Sequence, residues 1–83
     1  MAKWNRKKSK RKRWIRNHLI EKNGNICSLC TKPFVTMKDV TLDHVIPVSK
    51  GGDDEIENLQ LAHFHCNQTK NDMTPEEFEE FNL

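Results

Sequence analysis

The chain lacks any long hydrophobic run, and its first 16 positions hold no acidic residue. No apolar stretch approaches the roughly 18 to 20 residues needed to cross a bilayer, so a membrane-spanning segment is excluded and a soluble, cytoplasmic protein is expected. No apolar h-region with a cleavage site opens the sequence, and the three cysteines, Cys27, Cys30 and Cys66, cannot all pair with one another. A secreted disulfide framework is therefore a poor reading and an intracellular metal site a better one. Internal repeats are absent, and the apolar clusters are short, such as Val45-Ile46 and Leu59 to Leu61. The 83 residues suffice for one domain whose core alone gives marginal stability. A staple is expected.

What the chain does have is charge, unevenly placed. The net +2 divides into +9 over residues 1–16, from Lys3, Arg6, Lys7, Lys8, Lys10, Arg11, Lys12, Arg13 and Arg16, and −7 over the remainder. Like charges at this density repel, so the arm is expected to stay solvated unless a polyanion neutralises it, and nucleic-acid phosphate is the commonest such partner. A merely solubilising tail is the plainer alternative. Trp4 and Trp14 interleave the bases and could stack, but Trp14 with Ile15, Leu19 and Ile20 reads more simply as the apolar side of a helix.

The pattern along the chain predicts a small α+β domain in three parts: a basic arm and helix over 1–22, a metal-stapled core over 23–73, and a capped helix over 74–83. Asn23-Gly24-Asn25 stops the first helix with residues that tolerate left-handed backbone. Val40 to Val45 alternates and is β-branched, so it reads as a strand whose end presents Asp43 and His44. Ile46 to Glu57 is polar and turn-rich, Asn58 to Leu61 resumes as a second strand, and His63 to Asn71 fits a short helix with Asn67 and Lys70 on one face. Thr74, Pro75 and Glu77 form a helix-starting capping box ahead of Phe78 and Phe81.

Cys27-x2-Cys30 and His63-x2-Cys66 have the local spacing that lets both members of a pair reach one tetrahedral ion. His65 rivals His63, which is preferred because it keeps the same gap in both pairs. Structural zinc contributes about 10–16 kcal/mol of apparent folding free energy in small peptides, large against the stability of a chain this size.

A second constellation suits phosphodiester hydrolysis. Asp43 and the Asn67 side-chain oxygen are hard ligands for Mg²⁺, and His44 can take a proton from water at neutral pH. Adjacent strand residues point to opposite faces, so the geometry needs a bend at His44, which Pro47 and the glycines after it would supply. Asn58 is expected to bridge the long loop through its amide, and Lys70 to face a phosphate.

Taken together, Cys27-x2-Cys30, Asp43-His44-Val45-Ile46-Pro47, Gly51-Gly52, Asn58-Leu59, His63-x2-Cys66-Asn67 and Lys70 resemble the HNH endonuclease family. The resemblance covers about residues 26–71 and implies a ββα-metal (His-Me finger) core, with His44 as general base, Asp43 and Asn67 on the catalytic ion, and Asn58 ordering the loop. It also assigns Cys27, Cys30 and Cys66 to a structural zinc. Asn67 stands where many members carry histidine, as in the H-N-N subset, which favours Mg²⁺ or Mn²⁺. The expected partner is double-stranded DNA held with weak sequence preference, with phosphate contacts from Arg6, Lys7, Lys8, Lys10, Arg11, Lys12, Arg13, Arg16 and Lys70. Small members of this kind are phage or bacterial enzymes, acting in the cytoplasm of the cell or infected host, and a homodimer or larger assembly would allow double-strand breaks.

Overall fold

The structure, a computed structural model, describes residues 6–81, with side chains described from residue 10. The expectations placed on Lys3 and Trp4, and on the side chains of Arg6, Lys7 and Lys8, lie outside the described residues. Helix α1 (Arg6–Asn23) ends where Gly24 adopts φ +91° and donates its N–H back to Ile20. Strands β1 (Val40–His44) and β2 (Leu59–His63) form a two-stranded antiparallel sheet in the register Val40↔His63 to His44↔Leu59. Helices α2 (Phe64–Lys70) and α3 (Pro75–Phe81) follow.

The sheet lies between α1 and α2. Leu59 and Leu61 join Ile15 and Leu19 of α1, with Cys27 and Phe34, in one buried cluster against which Leu42 packs. Each such aliphatic chain contributes roughly 1.5–3 kcal/mol when fully buried. Thr41 and Asp43, which alternate with Leu42, bond instead to Asn67 and Lys70 of α2. Burial of Ile15 and Leu19 makes α1 part of the fold rather than a wholly solvated arm. Trp14 departs from the sequence expectation: it is 61% exposed and stacks on His18 at 5.3 Å, because the core accepts only the stripe of α1 containing Ile15 and Leu19.

The long connection between the strands is a built loop. Asn58 Oδ1 accepts from Ile46 N at 2.9 Å, and its Nδ2 donates to the Ile46 and Asp53 carbonyls at 3.0 and 2.8 Å. Gly52 passes so close that a Cβ there would overlap the Ile46 carbonyl and meet Asn58 Nδ2 at 2.9 Å. At the start of α3, Thr74 N donates to Glu77 Oε1 and Glu77 N to Thr74 Oγ1, the two reciprocal bonds of a capping box.

Candidate metal centre and catalytic cleft

A tight turn presents the first two sulfurs. Thr31 N donates to the Cys27 carbonyl and Cys27 N to that of Lys32, while Thr31 takes φ 65°. Ser28 N donates to Leu61 O, which sews the turn to β2 and brings it against the β2–α2 junction carrying His63 and Cys66. The ligand atoms of Cys27, Cys30, His63 and Cys66 all lie within 4.8 Å of one another. Zinc with bonds of about 2.3 Å to sulfur and about 2.0–2.1 Å to nitrogen sets donor edges of roughly 3.5 Å in a tetrahedron. His63 Nδ1 lies 3.3 Å from Cys30 Sγ and 3.9 Å from Cys66 Sγ, so the Cys₃His group fits a structural zinc site. His65 is exposed and outside the group. His63 Nε2 faces the Pro33 carbonyl at 3.3 Å, the kind of outer bond that fixes a ligand ring.

Charge at the sulfurs agrees with a cation between them. Burial opposes ionisation of Cys27, but N–H donors from Cys30, His63 and Leu29 outweigh it and bring its pKa down to about 7. Desolvation, then the neighbouring Cys30 and Cys27 sulfurs, push the Cys66 thiol up to about 12. Several thiolates crowd one another unless a metal ion compensates them.

The hydrolytic candidates lie at the end of β1. A cleft of about 250 Å³ is lined by Leu42, Asp43, His44, Pro47, Val48, Ser49, Asn67, Asn71 and Asp72. Asp43 is 4% exposed, and its Oδ2 accepts from Gln60 Nε2 at 2.8 Å and pairs with Lys70 Nζ at 3.2 Å. A carboxylate has about four acceptor sites, so two donors leave capacity for a cation. Asn67 Nδ2 donates to Thr41 Oγ1 at 2.9 Å, a bond that leaves its Oδ1 out.

Two sequence expectations need correction. Lys70 does not face a phosphate: it is 1% exposed, ion-paired with Asp43 and donating to the His44 carbonyl at 2.8 Å, because its position on α2 turns it into the sheet. Nor does the chain bend at His44, which pairs with Leu59 in register; the bend follows at Val45-Ile46, so Asp43 and His44 leave opposite faces of β1. His44 Nε2 contacts Asp54 Oδ1 at 2.7 Å, beside Arg11, Lys12 and Ile15 of α1. An ionised carboxylate only accepts, so that contact puts the ring proton on Nε2 and leaves Nδ1 as the accepting nitrogen. Asp54 and Gln60 carried no local motif, and only the fold brings them to the site.

The family model described as HNH endonuclease matches residues 27–73, a span that contains both the sulfur cluster and the cleft. No curated protein matches the chain.

Proposed function

The chain belongs to the HNH endonuclease family, and on that premise we propose that it hydrolyses DNA phosphodiester bonds with a divalent ion, Mg²⁺ or Mn²⁺, held by Asp43 and Asn67. The observation that carries this reading is that Asp43, His44 and Asn67 all border one cleft at the end of β1, His44 from the opposite face of the strand to Asp43. Such an ion, when bound, polarises the phosphate and offsets the charge that develops on its oxygens. His44, held at Nε2 by Asp54, receives the proton of the attacking water at Nδ1. Gln60 and Lys70 fix the rotamer of Asp43, so that its remaining lone pairs stay aimed. Asn58 ties Ile46 to Asp53 and so holds the loop that carries Pro47 to the cleft.

The Lys70 ion pair favours a second reading, a zinc-stapled module that binds nucleic acid without cutting it, since a paired carboxylate is a weaker cation ligand. Zinc-loaded protein incubated with supercoiled plasmid and Mg²⁺ separates the two. Nicked or linear product from the wild type, absent with His44→Ala, supports the nuclease; binding with no product from the wild type supports the module. Product as linear DNA would further call for two copies acting together, on Watson–Crick strands held by weakly sequence-specific phosphate contacts.

A further inference from the structure

A wider cleft, of about 720 Å³, opens between α1 and α2. Lys12, Arg13 and Arg16 line it from α1, and Phe64, Asn67 and Gln68 from α2 with Asn71 just past its end. It shares Leu42, Asn67 and Asn71 with the catalytic cleft, so the two are continuous around Asn67. Its α1 wall carries three cations and no acid, which complements a phosphate chain. Arg16 Nε is buried with no hydrogen-bond partner among the described residues, a donor that a phosphate oxygen would satisfy once the side chain turns outward. Phe64 leaves 55% of its surface exposed in this polar setting although it opens a helix packed on the sheet. An aromatic face kept out of the core beside a row of cations is the arrangement that stacks a nucleobase, and bases inside an intact duplex are already stacked on each other.

We propose that this cleft seats one unpaired nucleic-acid strand, with its phosphates along Lys12, Arg13 and Arg16 and a base on Phe64, and feeds that strand past Asn67 to His44. The preferred substrate is then DNA with a single-stranded segment adjoining the scissile bond, such as a flap, gap or branch. This rests on the nuclease reading for its outcome but on separate residues for its binding.

The test is anisotropy with zinc-loaded full-length protein, without Mg²⁺, on fluorescein-labelled oligothymidylate and on a duplex with the same number of phosphates. Tighter binding to the single strand is expected. Phe64→Ala should weaken it about tenfold, with Phe64→Trp restoring it. Arg16→Ala should flatten its salt dependence by about 0.7 unit of slope. Equal or tighter binding to the duplex, or a single-strand affinity unmoved by Phe64→Ala, would overturn the proposal. Circular dichroism of each variant checks folding, which exposure of the Phe64 ring should spare. A wild type that shows Phe64-dependent strand binding but cuts no DNA would remove the nuclease reading and leave the cleft. One that cuts plasmid indifferent to Phe64→Ala, with no single-strand preference, would do the reverse.

Discussion

Lys70 and Asp43 are nearly sealed from solvent, at 1% and 4% exposure, and each neutralises the other. Taking one charge of such a pair away leaves the other buried and unmatched, which costs about 3–5 kcal/mol. Lys70→Ala should therefore lower unfolding free energy by about that much in urea titrations, and a loss within experimental error would show that water reaches Asp43. Gly52 is constrained by space rather than by φ: Gly52→Ala sets a methyl against a backbone carbonyl, and the loop must shift with Asn58 attached. Overpacking of this sort costs about 1–3 kcal/mol, so a clear drop in thermal midpoint is expected, and an unchanged midpoint would mean that the loop yields freely. At His44, replacement by Ala should reduce turnover about 10²–10⁴-fold, while Asp54→Ala, which frees the ring without removing it, should give a smaller loss in kcat with KM unmoved. Equal losses from both would make the carboxylate more than a guide for the ring.

Among the elements, the turn at Cys27 and the β2–α2 junction are joined by the Ser28–Leu61 bond, the His63 bonds to Cys27 and Pro33, the core contacts of Cys27, and the four donors. A metal that closes those donors carries much of the fold's stability, so chelation at neutral pH should erase cooperative unfolding and zinc alone should restore it. Retention of a sharp transition in chelator would assign the stability to the apolar cluster. Helix α3 is fastened differently. Lys50 bonds Glu77 at 2.6 Å and, with the Thr74 backbone N–H, holds its carboxyl down at about 2 from an ordinary 4.5. A depressed carboxyl pKa stabilises the fold above the unfolded value and ceases to as pH falls through the folded one. Docking of α3 should thus persist near pH 5 and fade between about 4.5 and 2, which amide exchange of residues 75–81 would follow, and Glu77→Gln should flatten that dependence. The local devices were legible in the sequence because their partners sit within three residues: the Cys27/Cys30 and His63/Cys66 pairs and the Thr74–Glu77 box. Apart from the Asn58 bridge to Ile46, contacts that join distant positions were not. Asp54 is 10 residues from His44, Gln60 is 17 from Asp43, and Lys70 is 27 from Asp43, and no spacing rule connects them. Trp14 misled for a related reason, since a helical period marks an apolar stripe without saying how wide a small core will accept.

Over the whole molecule, a cationic N-terminal segment is set against an acidic remainder, and α1 brings part of that charge beside the cleft instead of leaving it on a free arm. Affinity for nucleic acid should accordingly fall steeply with salt, and each base removed from α1, at Lys10 or Arg13 for example, should lower the slope by about 0.7 to 0.9. Slopes that ignore these substitutions would place the binding face elsewhere. On the proposed reading the same geometry ties charge to chemistry, because the basic cleft and the one bordered by Asp43 and His44 share Asn67. Cleavage rate against added Mg²⁺, for the wild type, Asn67→Ala and His44→Ala together, tests that meeting point most directly. The expected outcome is a saturating curve for the wild type, a shift of Asn67→Ala to higher Mg²⁺, and a collapsed plateau for His44→Ala; three coincident curves, or cleavage without added ion, would contradict a cation held by Asp43 and Asn67 beside the His44 ring.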